Sequence, residues 1–226
     1  MKKIMLAISL SLLSVLKVYS QKQSNFEGVI KYAISFDGAK LPPEAMAILK
    51  DAETVIYLKG DKRRVDMIMP MQSTSTIVDN KNNNSVTLME FMGHKFLIKM
   101  NGADIKKEQD SAPEINVKFT DETKVIAGYK CKKAIVTIKK NTENVMNVFY
   151  TDEISNNDIK PIYKGIKGLL MEYSMNQGGR EMKFTAKSIS KESVAESKFE
   201  IPKEGYTETT IEELPKIMMK QMGGQK

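Results

Sequence analysis

The sequence predicts a mainly β (α+β) fold: an antiparallel meander of about ten or more strands with two or three short helices. Three observations predict it. Apolar residues alternate with period two through most of the chain. Turn residues recur about every ten residues, which suits hairpins and leaves no room for βαβ crossovers. Helix-like patterning is confined to a few short stretches. With 226 residues and 41% hydrophobic content, the chain is long and apolar enough to bury a core. Gly 13 and Pro 7 exclude a collagen-like chain. One Cys and one His exclude an internal disulfide framework and a His-rich zinc site.

The first twenty residues read as an address. Lys2 and Lys3 precede an apolar run over 4–16, and Val18, Tyr19 and Ser20 offer a peptidase site before Gln21. This is the pattern of a signal peptide over 1–20, leaving a single β-rich domain over 21–226. The run is too short for a membrane span and Lys17 interrupts it, so no span is expected in the mature chain. No Cys stands at the cleavage point to carry a lipid. Removing Lys2, Lys3 and Lys17, with no acid, lowers the net charge from +7 to +4. That balance does not argue for nucleic acid, and export argues against it; export also leads to an expected location in the periplasm or outside the cell.

Each element follows from local pattern. Over 26–36, Ile30, Tyr32, Ile34 and Phe36 share one side of a strand. Prolines 42 and 43 open a short helix over 42–49. Strands are expected over 54–58, 64–69, 73–78, 85–91 and 95–100, separated by Gly60-Asp61, Pro70, an Asn-rich turn and Met92-Gly93. Residues 101–114 read as a loop with a helical turn. Strands follow over 115–119, 122–126, 129–138 and 144–151. Within 129–138, Tyr129 and Cys131 fall on one face while Ala134, Val136 and Ile138 fall on the other. A β-bulge near Lys132-Lys133 would reconcile them. A connection over 156–168, partly helical over 159–166, leads to a hairpin of 168–175 with 181–189. A last short strand is expected over 196–200. Thr210 and Glu213 form a capping-box pattern before an amphipathic helix over 211–222, with Pro215 early in it.

Three stretches carry a resemblance: Phe26-Glu27-Gly28-Val29-Ile30-Lys31-Tyr32; residues 123–134, which include Gly128-Tyr129-Lys130-Cys131; and Val148-Phe149-Tyr150-Thr151-Asp152-Glu153-Ile154 with Gly168-Leu169-Leu170-Met171-Glu172-Tyr173. Together they resemble a secreted Bacteroidetes family grouped under a domain of unknown function. That family is in turn similar in fold to the lipoprotein-carrier half-barrels. The resemblance implies a strongly curved antiparallel sheet with its helices against the concave side. It also implies that whatever the helices leave uncovered forms a groove able to take acyl chains. It supplies a Cys at the position of Cys131 but no role for it.

Fourteen Met remain after residue 20, and there is no Trp. Met67, Met69 and Met71 fall on one side of a strand if the strand runs through Pro70. Flexible thioethers suit three uses: filling core gaps, lining an adaptable apolar cavity, or holding Cu(I). The ligand-cavity candidates are Met67, Met69, Met71, Met89, Phe91, Tyr150 and Met171. No catalytic residue, metal site or cofactor is predicted. Cys131 reads as a buried strand residue and His94 as a turn residue. Asp152-Glu153 point to opposite faces of a strand, and Glu212-Glu213 suit a helix first turn. The basic groups Lys62-Arg63-Arg64 and Lys130-Lys132-Lys133 read as solvated strand edges that could also meet anionic headgroups. Asp110-Ser111-Ala112 resembles a short O-glycosylation sequon.

Two functions are expected ahead of any enzyme. One is an exported envelope protein that holds an apolar ligand or lipid in the concave face of its sheet. The alternative is a structural module with an envelope protein partner and no ligand.

Overall fold

The computed structural model describes residues 26–37, 52–70, 72–139, 144–155, 163, 165–177 and 180–223. The expected signal peptide, the helix over 42–49 and most of the 156–168 connection lie outside them.

One large curved, unclosed sheet of twelve strands dominates the fold. Its strands are β1 (Gly28–Asp37), β2 (Glu53–Lys59), β3 (Lys62–Met69), β4 (Gln72–Asp79), β5 (Asn84–Phe91), β6 (His94–Met100), β7 (Glu114–Ile126), β8 (Tyr129–Lys139), β9 (Asn144–Ser155), β10 (Gly168–Gln177), β11 (Arg180–Lys191) and β12 (Thr207–Thr209). The spatial order is β12-β6-β5-β4-β3-β2-β1-β11-β10-β9-β8-β7. Two meanders therefore run outward from the centre, one over β1–β6 and one from β11 back to β7. The seam between them is β1 against β11, in antiparallel register from Gly28 opposite Lys191 to Asp37 opposite Glu181.

Ile30 and Tyr32 are buried, as their period-two spacing predicts, and Ile34 and Phe36 pack against the same cluster. The Tyr32 hydroxyl donates to the Leu170 carbonyl at 2.7 Å, tying the central strand to β10. The largest apolar cluster fills the β7–β11 arm, with Val136, Val148, Met171, Phe184 and Cys131 all but inaccessible. Tyr173 stacks on Phe184 with ring centres 5.0 Å apart. A second cluster covers the outer face of the other arm. There Val194 and Phe199 lie on Ile77, Val86, Leu88 and Leu97. Lys59 clamps this covering segment, donating to the Val194 carbonyl at 2.7 Å beside Glu196.

Four local features differ from the expectation. Residues 101–114 hold a full helix, α1 (Gly102–Ser111), because Asn101 and Asp104 form a reciprocal capping box. No residue of α1 is buried, so it does not cover the sheet. Residues 115–119 and 122–126 form one strand, and the irregularity lies in β7 between Phe119 and Thr123. It faces Lys133 across the ladder, so the bulge sits beside the expected place but in the neighbouring strand, and β8 pairs without a break from Lys132 to Ile138. Residues 196–199 are a 3-10 turn, not a strand. The missed strand is β12, whose three residues pair parallel to β6.

The final helix is α2 (Leu214–Gly223). Thr210 caps its approach, its hydroxyl accepting from the Glu213 amide at 3.2 Å. Pro215 falls in the first turn, where a missing N–H costs nothing. Leu214, Ile217 and Met218 pack on Phe96, Ile98, Met89 and Met100. No helix among the described residues is long and apolar enough to cross a membrane.

Candidate functional site

Residues directly opposite in a ladder share a face of the sheet. The registers therefore trace rows across the inner face. One row runs Tyr32, Thr54, Met67, Thr74, Met89, Phe96. The next runs Ile30, Ile56, Val65, Thr76, Thr87, Ile98. A third, at the far end of β3, runs Met69, Gln72, Phe91, His94. The first two rows begin in the large core and end beneath α2.

Between those ends the face is only half-covered. Met67, Met69, Thr74, Thr76, Thr87, Met89 and Phe91 are all half-buried. Met67 and Met69 lean on the large cluster and Met89 on the α2 cluster. No inner-face residue of β4 belongs to any described cluster. The result is a half-covered strip along the curved sheet, a shallow trough with thioethers on β3 and β5 to either side of threonines on β4. Among the described residues the hydroxyls here make long contacts: Thr76 with Thr87 of β5 at 3.3 Å, and Thr74 with the Gln72 side-chain amide at 3.4 Å. At the far end of β3 the trough opens beside a cavity of ≈ 540 Å³ lined by Met69, Pro70, Gln72, Ser73, Glu90, Met92 and Gly93. A second cavity, ≈ 700 Å³, lies where Tyr32 and Ile34 meet Ala52, Glu53 and Ser188.

Four of the cavity candidates, Met67, Met69, Met89 and Phe91, thus share the trough. Met171 and Tyr150 do not reach it. Met171 is fully buried in the β7–β11 core. Tyr150 is buried there too, edge-on to Phe119 at 5.9 Å, and burial beside Asp152 pushes its phenol up. Met71 lies outside the described residues. The threonine floor was not among the candidates. Its signal was present in Gln72-Ser73-Thr74-Ser75-Thr76, a strand with no apolar residue until Ile77.

Among the described residues of β3 to β6, charge lies on the outer face except for Arg63, which is buried on the inner face at the end of β3 remote from Met69. On the outer face Arg64 and Asp66 pair at 2.6 Å, and Lys99 meets Glu208 at 2.7 Å. On the β7–β11 arm, Glu172 accepts from Lys124 at 2.7 Å and lies 3.3 Å from Lys183. Burial alone would push the Glu172 carboxyl up, but the two lysines outweigh it and hold the group below its usual range. Lys124 also stands 3.9 Å from the Phe149 ring centre, a cation–π contact.

Cys131 is buried and burial pushes its thiol up, away from the thiolate that nucleophilic chemistry needs. His94 lies nine strands away in the sheet order and stacks near Phe96 at 6.4 Å. Asp152 engages Lys132 at 2.6 Å. Among the described residues no group of three His, Cys, Asp or Glu side chains could hold a metal ion. Ser111, in the sequon-like triplet, donates to the Glu108 carbonyl at the end of α1.

Residues 30–211 match the family model described as the N-glycanase peptide, N-terminal domain. That range contains the second and third stretches on which the resemblance to a domain-of-unknown-function family rests. Among solved structures, two crystal forms of PNGF-II, in space groups P21 and C2, are each 20% identical with TM-score 0.52 and cover 86% of this chain. The chain spans only 34% and 33% of those two chains. At that identity the likeness establishes the fold. A crystal structure of LprF from Mycobacterium bovis matches at 11% identity and TM-score 0.34, covering 75% of this chain and 88% of its own. No curated protein sequence matches.

Proposed function

This chain belongs to the family of N-glycanase N-terminal domains, and on that premise we propose that it is a non-catalytic binding domain that holds an elongated apolar ligand, an acyl chain in the simplest case, in the trough of its inner face. The observation that carries the reading is the half-covered row of Met67, Thr74 and Met89 between two packed clusters. Thioethers on facing walls adapt to chains of varied shape. The basic, then apolar, start of the sequence supports export, and residence in the periplasm or outside the cell belongs to this proposal. The resemblance to lipoprotein-carrier half-barrels through the domain-of-unknown-function family points the same way. The buried Cys131 thiol and its distance in the sheet from His94 support a non-catalytic role.

Native mass spectrometry of protein purified from its own source, followed by lipid extraction, tests the reading. A stoichiometric apolar ligand is expected. The Thr74→Lys variant should fold with an unchanged far-UV spectrum and lose binding of a fluorescent acyl probe by about tenfold or more. Ligand-free protein that does not bind the probe ends the proposal.

A second reading is a structural module with a protein partner and no ligand. It is favoured by one finding: the matching region is about a third of the PNGF-II chain, so in that protein it is joined to further polypeptide. Pull-down of one dominant protein, with no lipid recovered, would select it.

A further inference from the structure

We infer that the trough selects an uncharged lipid, an acyl chain carrying ester, amide or hydroxyl groups, over a free carboxylate or phosphate of the same chain length. The inference rests on the trough being a ligand site and names the class of ligand it takes.

The first ground is the distribution of charge. The inner-face rows of β3 to β6 carry no carboxylate. Their one permanently charged group, Arg63, is buried at the end of the arm remote from Met69 and already engaged. Arg64, Asp66, Glu90, Lys95 and Lys99 all fall at the alternate positions, on the opposite face. An anionic headgroup drawn into the trough would give up its water and meet no free cation among the described residues, which is costly. A neutral headgroup would not.

The second ground is unused hydrogen-bonding capacity on the same face. Thr54 stands next to Met67 in the row that crosses the trough. It is 1% exposed, and its hydroxyl has no partner among the described residues. A buried hydroxyl left unpaired is destabilising, and such groups are rare unless something outside the chain completes them. The hydroxyls of Thr74 and Thr76 on β4 and of Thr87 on β5 hold, among the described residues, only the long contacts given above, which a ligand oxygen or amide can replace. A purely hydrocarbon cargo would leave all of these donors idle. An acyl chain with ester, amide or hydroxyl groups uses both the thioether walls and the hydroxyl floor.

Competition against a fluorescent acyl probe, on the full mature chain at neutral pH, tests this. The competitors are a monoacylglycerol and the fatty acid of equal chain length. The monoacylglycerol should compete about tenfold better. In Thr74→Val/Thr76→Val, a near-isosteric pair of changes on a half-exposed strand, that advantage should fall by threefold or more while the fatty acid is unaffected. Equal competition in the unmodified protein, or a better fatty acid, overturns the selectivity and leaves the trough intact as a site. An advantage that survives the double substitution overturns the assignment to the floor hydroxyls. A probe that does not bind at all removes the trough reading itself, and this inference with it.

Discussion

The two arms of the sheet start from similar strands and end in different states. In the β7–β11 arm, inner-face residues such as Val136, Val148 and Met171 are sealed in one continuous core. In the β3–β5 part of the other arm, the inner face carries Met67, Thr74 and Met89 and stays half-open. Curvature alone does not make a cavity. The chemistry of a single strand decides it: β4 places Thr and Gln where its neighbours place Met and Phe, so the arm cannot close over a dry core without burying hydroxyls.

The sharpest way to break this contrast is one substitution made in both arms. Met171→Ala should cost about 2–5 kcal/mol, because a fully packed side chain leaves a cavity behind. Met67→Ala, at a half-exposed wall, should cost under about 1.5 kcal/mol by the area it uncovers. Urea unfolding measures both. Equal losses would mean that the trough is as solid as the core.

Thr54→Val sharpens the comparison from the other direction. It should raise stability by about 1 kcal/mol, since it replaces an unpaired buried hydroxyl with a methyl of the same shape. A fall in the thermal midpoint of ligand-free protein would show that the hydroxyl is satisfied within the chain.

A smaller effect separates the outer faces. The Glu172 carboxyl is held below its ordinary value of 4.5 by Lys124 and Lys183. Its contribution is therefore complete above 4.5 and is lost as the pH falls through the lower folded value. Glu172→Gln should flatten the acid limb of the stability–pH curve and leave the alkaline limb unchanged. An unaltered acid limb would assign the acid sensitivity to other carboxylates.

The smallest effect is expected at α1. Asn101→Ala removes the side-chain oxygen that accepts from the Ala103 and Asp104 amides and keeps the backbone bond to Asp104, a loss of about 0.5–2 kcal/mol to the helix itself. The helix buries nothing, so the loss should show as fraying in amide exchange over 102–111 with little change in the global midpoint. A large drop in that midpoint would mean that α1 is coupled to the sheet.

Most strands were legible because alternation is a local signal. The Ile30, Tyr32, Ile34, Phe36 spacing fixes the buried face of β1 without any knowledge of its partners. The shared face of Met67 and Met69, and that of Met89 and Phe91, was legible for the same reason, since each pair stands two apart. Met171 and Tyr150 show where that signal stops: an apolar side chain reads alike on an open wall and in a sealed core, and only the far arm decides between them. The three-residue β12 depends on its parallel neighbour β6 and has no pattern of its own. The bulge fell on β7 because register slip is shared between two strands, while the sequence of one strand shows only that a slip is needed. The cap of α1 is a local signal in Asn101 with Asp104, but the stretch it opens holds a single large apolar residue, Ile105, and so shows no helical period.

The seam between β1 and β11 also constrains how the molecule is made. Its partners, from Gly28 with Lys191 onward, are among the most distant in the chain, whereas nearly every other ladder joins consecutive strands. Each meander can zip from its own hairpins, but joining them requires a loop of most of the polypeptide to close. On a ribosome the first meander emerges with the open side of β1 still waiting for a strand at the far end of the message. During that interval β1 is the segment most exposed to pairing with another molecule, and its seam should be the slowest step of refolding.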